Sequence, residues 1–194
     1  MHYMYNAYSY NTYMILSIPY QTFETENVHL TPFQCDRYGK NIAQLSYKDT
    51  SIDFQDICIL SPPLTVLQYQ PEHSRLILDV SSHVHFQVKL QTLQDDLIGT
   101  FFMHQQSFLN QSHQSLENIR HLFYFLLDES RLSLYLYPTT KIKLSEGVTG
   151  RISDIKPGDT IRCVIRLQGI LQLLYRDGIR LRLHHSVPAM WLLS

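Results

Sequence analysis

The chain has 194 residues, a formal net charge of −1 and 44% hydrophobic residues, a length that suits one domain with a sizeable core. Only 17% of residues are charged, while 13 tyrosines, nine phenylalanines and ten histidines are present, a composition that excludes disorder, coiled coil and collagen-like sequence. Three cysteines, Cys35, Cys58 and Cys163, are too few and too scattered for a disulfide scaffold, and the odd count points to free thiols in a reducing compartment.

Residues 1–20 carry six tyrosines and no Lys, Arg, Asp or Glu. The longest apolar run there, Tyr13-Met14-Ile15-Leu16, is too short for a secretory signal, and no stretch approaches the roughly 20 apolar residues that span a bilayer. A Tyr-rich arm is expected over 1–22, packing on the chain's own body, docking on a partner or stacking on bases. Short strands are predicted over 42–47, 57–60, 64–69 and 76–80, separated by Asp49-Thr50-Ser51, the rigid corner Ser61-Pro62-Pro63, and Gln70-Pro71-Glu72. Phe86, Leu90, Leu93 and Leu97 then recur at helical spacing, with Ser82 placed to cap the helix and Gly99 weakening its second half. Residues 110–115 read as a polar loop, and the apolar stretch 116–127 fits a helix or a strand equally well.

Arg131-Leu132-Ser133-Leu134-Tyr135-Leu136-Tyr137 alternates, with three leucines inside and Arg131, Tyr135 and Tyr137 outside; Pro138 ends it or marks an edge. Lys141 and Lys143 then face outward on a further short strand. Tyrosines interleaved with cations suit single-strand binding, where bases stack on rings and cations track phosphates, but they equally suit an ordinary exposed sheet face.

Lys156-Pro157-Gly158-Asp159 is a turn, and residues 160–167 alternate with Arg162 and Arg166 outward. Gly169 marks a bulge or bend. Tyr175-Arg176-Asp177-Gly178 is a hairpin signal, and the return strand faces Arg180, Arg182 and His184 outward. Pairing of these strands puts four arginines on one face, which is costly unless an anion sits there. Charge is divided accordingly: residues 1–150 balance at −5 and residues 151–194 at +4. No phosphate loop, nucleotide fingerprint or nucleophile elbow occurs, and the pairs His83/His85 and His184/His185 lack the companions of a metal motif.

The run from Gly158-Asp159-Thr160-Ile161-Arg162 through Gln168-Gly169-Ile170 to Asp177-Gly178-Ile179-Arg180-Leu181-Arg182-Leu183 resembles the closing strands of phage-type single-stranded-DNA-binding proteins. It also resembles related short proteins of large eukaryotic DNA viruses. In that group a Gly-x-x-Val strand leads to a hairpin whose return begins Gly-Ile and ends in Val, here Val187; Ile161 stands where the first Val is expected. Tyr38-Gly39-Lys40-Asn41-Ile42, Leu60-Ser61-Pro62-Pro63, residues 76–81 and residues 136–144 are similar to further blocks of the viral proteins, so the likeness runs in patches over 38–191. The acidic tail through which phage proteins call partners has no counterpart in residues 189–194.

The resemblance implies a closed or partly open barrel of the OB type, with an inserted helix, that binds single strands. The expected architecture is mainly β: one OB-like antiparallel β-barrel over 23–194 with one or two inserted α-helices around 83–127. The expected function is non-enzymatic binding of single-stranded DNA, with RNA as a second ligand, in viral DNA replication or recombination. No cofactor, metal or membrane enters that reading, and its place is a host nucleus or cytoplasmic virus factory, or the virion. Arg162, Arg166, Arg180, Arg182, Lys141 and Lys143 are the candidate phosphate contacts, and Tyr135, Tyr137 and Tyr175 the candidate base contacts. Trp191 and Leu192, in the apolar stretch 190–193, are candidate contacts to another subunit or a virus-encoded partner, if they do not pack on the barrel itself. The competing reading is a β-rich viral structural or capsid-assembly protein, in which acidic residues pair with the arginines.

Overall fold

The computed structural model describes residues 8–10, 13–50, 52–110, 113–144 and 148–193. Within the Tyr-rich segment, β1 (Tyr8–Tyr10) and β2 (Tyr13–Ile15) pair as a small antiparallel hairpin. Residues 1–7, 11 and 12 of the expected arm lie outside the described residues, as do residues 111 and 112 of the polar loop. The strands β3 (Ile18–Pro19), β4 (Val28–Leu30), β5 (Gln34–Cys35) and β6 (Asn41–Lys48) follow. Next come β7 (Asp53–Phe54), β8 (Ile57–Leu60), β9 (Leu64–Gln70) and β10 (Arg75–Asp79). Three helices, α1 (Val84–Met103), α2 (Gln105–Leu109) and α3 (Leu116–Leu122), interrupt the strands. Then come β11 (Phe123–Tyr124), β12 (Leu127–Asp128), β13 (Arg131–Tyr135), β14 (Lys141–Lys143) and β15 (Thr149–Gly150). Two long strands, β16 (Thr160–Tyr175) and β17 (Gly178–Leu193), complete the order with 16 residues each.

The α1 helix forms where the periodicity places it. Phe86, Leu90, Leu93, Leu97, Ile98 and Phe101 are buried along one stripe against the sheet, each worth about 1.5–3 kcal/mol of apolar burial. Gln94 on the same stripe is also buried, because its amide replaces a strand partner: Oε1 accepts the Leu127 N–H at 3.0 Å and Nε2 donates to the Leu127 carbonyl at 3.4 Å. Two details differ from expectation. The helix begins after His83, with no side-chain cap from Ser82, and it runs through Gly99, where tertiary packing outweighs the glycine penalty. The ambiguous stretch 116–127 is both things in turn: Ser115 Oγ accepts the Asn118 N–H at 3.1 Å to start α3, and two short strands follow.

The β16–β17 hairpin is the spine of the molecule. Its arms pair from Thr160↔Leu193 to Tyr175↔Gly178, around the Arg176-Asp177 turn. On its other edge β16 meets β9, β8 and β6 in succession. Two register shifts bend the ribbon, one between Val164 and Arg166 and one between Leu167 and Gly169. The second is the bulge expected at Gly169, where β6 crosses so closely that an added Cβ would stand 2.2 Å from the Ala43 carbonyl oxygen.

The fold is mainly β, but the ladder does not close into a barrel and is not purely antiparallel. It runs β12-β13-β10-β9-β16-β17-β14-β15, and β11 and β14 lie parallel to β17. The reason lies at β13, whose free edge is taken first by β12 and then by the Ser133 N–H to the Leu126 carbonyl at 2.7 Å. At the next N–H on that edge, β17 offers a side chain rather than a carbonyl.

Candidate nucleic-acid interface

That side chain is His185. It is 2% exposed; Nε2 accepts the Tyr135 backbone N–H at 3.0 Å, and Nδ1 lies 3.2 Å from the Leu183 carbonyl. The neutral ring therefore carries its proton on Nδ1. Burial, above all, pushes its pKa down to about 4, against a partial offset from the Leu183 bond. As pH falls the unfolded chain takes the proton first. Stability is thus full above about pH 6.5 and declines towards pH 4, by about 3 kcal/mol from this residue. Urea unfolding at pH 7, 5 and 4 should show the decline, and His185→Gln, which retains an acceptor but does not titrate, should remove most of it.

Above His185 opens a cleft of about 310 Å³ lined by Arg75, Tyr124, Phe125, Leu126, Ser133, Tyr135, Leu173, Tyr175, Arg182, Leu183 and His185. No carboxylate is among them. The sheet register sets the arrangement: Arg75 pairs with Tyr135 across β10 and β13, and Tyr124 pairs with Arg182 across β11 and β17, so each pair shares a face. The Arg182 guanidinium lies 5.8 Å from the centre of the Tyr135 ring, within cation–π range, and the Tyr135 ring lies 5.5 Å from that of His185. Ser133 Oγ accepts from Arg75 Nη2 at 2.8 Å, while Arg75 Nε is buried without a partner among the described residues. Tyr124 and Tyr175 stand about half exposed at the mouth. Aromatic faces beside guanidinium groups that have no acidic partner among the described residues can stack bases and hold phosphates.

The structure assembles only part of the predicted site. Tyr135, Tyr175 and Arg182 meet in the cleft; Arg75, Tyr124 and His185 join them unforeseen. The four arginines do share the outward face of the hairpin, since the bulges keep Arg162, Arg166, Arg180 and Arg182 in phase. They do not form one open cationic ribbon. Arg166 pairs with Asp56, and Arg180 donates to Asp177 at 2.9 Å, so these two are neutralised within the chain. Val164 and Ala189, cross-strand partners between Arg162 and the cleft, are buried, which separates Arg162 from the rest.

Arg162 instead stands in a row with Trp191 and Lys143, and Lys141 pairs with Ala189 one step along. Trp191 and Leu192 are half-buried within β17, and Leu192 packs on the core; the stretch is a strand, with Met190 fully buried beside them. Tyr137, 40% exposed, lies outside the cleft lining, its N–H donated to Thr140 Oγ1. His184 and His185 point to opposite faces of β17, so the pair cannot chelate one ion. All three cysteines are free, with Cys163 buried.

One signal for the missed residues was present: Arg75 begins the alternation Arg75-Leu76-Ile77-Leu78-Asp79, on its outward phase. Tyr124 sat in the stretch whose structure periodicity could not decide. No family model, no curated protein and no solved structure matches this chain.

Proposed function

We propose that the protein is a non-enzymatic single-strand binder, engaging single-stranded DNA in viral DNA replication or recombination, with RNA as a second ligand. The observation that carries this reading is the acid-free cleft, in which Tyr124, Tyr135 and Tyr175 stand with Arg75 and Arg182. Rings supply sequence-tolerant stacking, and guanidinium groups supply the phosphate contacts. The OB-like part of the proposal is supported by the five-strand succession β13-β10-β9-β16-β17, in which the His185 imidazole bridges the gap from β17 back to β13.

Titration of a fluorescently labelled oligonucleotide of about 20 nucleotides tests the proposal. Binding that weakens with salt is the expected result. The assembly reading draws on the hairpin tip, where Leu174 is 80% exposed beside Tyr175. It takes over if no single strand binds.

A further inference from the structure

A second cleft, of about 390 Å³, opens on the same outward face, between β6 and the β16–β17 ribbon. It adjoins the aromatic cleft: Leu171 and His184 line the second, their neighbours Leu173, Arg182 and Leu183 line the first, and Leu171 pairs with Arg182 across the ribbon. Its chemistry is different. Three amides, Gln44, Gln55 and Gln168, line it, and none of the three makes a side-chain hydrogen bond among the described residues. Each therefore presents donors and an acceptor to whatever enters.

Gln168 is there because of the backbone. It is the extra residue of the β16 bulge, left out of the pairing between Leu167↔His185 and Gly169↔His184. Gly169 lets β6 approach and brings Gln44 into register beside it. Of the two carboxylates in the lining, Asp36 accepts the Tyr38 and Lys40 N–H groups on Oδ1 at 2.8 Å each, and Asp56 pairs with Arg166. His184, pushed down in pKa first by burial and then by Arg182 and Lys40, is neutral near pH 7 and adds a donor and an acceptor. Tyr38, at the rim, offers an exposed ring with the Arg37 guanidinium 4.7 Å from its centre.

We propose that this cleft receives one nucleobase of the strand held in the aromatic cleft and reads its hydrogen-bonding edge through Gln44, Gln55 and Gln168. The inference rests on the single-strand reading and adds base preference to it. An unstacked base is read on its Watson–Crick or Hoogsteen edge, and an amide matches adenine through its exocyclic amine and adjacent ring nitrogen. Adenine is the expected occupant.

The test uses the full chain and oligo(dT) strands carrying one central dA, dC or dG. Native protein should bind one of these, the dA strand by expectation, about tenfold more tightly than plain oligo(dT). Combined Gln55→Met and Gln168→Met should erase the preference, so that the dA, dC and dG strands bind with the same affinity as plain oligo(dT). If the double variant fails to fold, Gln55→Met alone, at an exposed position, should reduce the preference. Tight, salt-dependent binding with equal affinity for all four strands overturns this inference and leaves the single-strand reading intact. A preference that survives the glutamine variants also overturns it. Absence of binding to every strand overturns both.

Discussion

Gly169→Val is expected to destabilise the fold by about 3 kcal/mol or more, a large share of the about 5–15 kcal/mol that holds a domain of this kind together. The new Cβ would meet the Ala43 carbonyl oxygen at 2.2 Å and the Ala43 carbonyl carbon at 3.0 Å. Both obstacles are backbone, so no rotamer change relieves them. Relief requires β6 to move away from β16, which breaks the Gly169↔Gln44 pairing and opens the core beneath Ala43 and Ile170. Gly169→Ala carries the same Cβ and should fall nearly as far. The measurement is the urea midpoint against the native chain; a midpoint unchanged in both variants would contradict the close crossing.

Replacing Tyr135 and Tyr175 together by leucine is expected to weaken single-strand binding by at least about thirtyfold. Each base stacked on an aromatic ring is worth about 1–3 kcal/mol, and two such losses amount to at least about 2 kcal/mol. Leucine keeps apolar packing at Tyr135, where the ring rests between Arg182 and His185, so the fold should survive. Tyr137→Leu provides the contrast. That ring is outside the cleft, and its removal should leave affinity unchanged. Unchanged affinity in a folded Tyr135/Tyr175 double variant would remove the cleft from the site.

How far the chain could be read before its structure depended on the range of the interactions involved. Local patterns were legible. The alternation of 160–167, the Asp177-Gly178 turn and the return from Ile179 specify the hairpin, and Phe86, Leu90, Leu93 and Leu97 specify α1. Interactions between distant residues were not. Asp56 lies 110 residues from Arg166, and nothing in either segment announces the ion pair that neutralises half of one strand's cations. Tyr124 and Arg182 become neighbours only because β11 adds to β17 in parallel. Whether the OB-like ladder closes was out of reach for the same reason: β13 meets β17 through the His185 side chain, beside β12, a two-residue strand too short to read from periodicity. The arginine phase was legible but the covering of Val164 and Ala189 was not, so coplanar cations were foreseen where the structure has two separate groups.

The most direct test of single-strand binding at the aromatic cleft is the salt dependence of affinity for a labelled single strand. Each phosphate neutralised by a protein cation contributes about −0.7 to the slope of log K against log salt. Arg75 and Arg182, the cleft cations without an acidic partner among the described residues, predict a slope of about −1.4. Arg182→Ala should reduce its magnitude by about 0.7 and weaken all sequences alike, because phosphate contacts carry no base information. Arg180→Ala, whose guanidinium is already held by Asp177, should leave the slope unchanged. No salt-dependent binding to any single strand, or a slope that Arg182→Ala does not alter, would contradict the account.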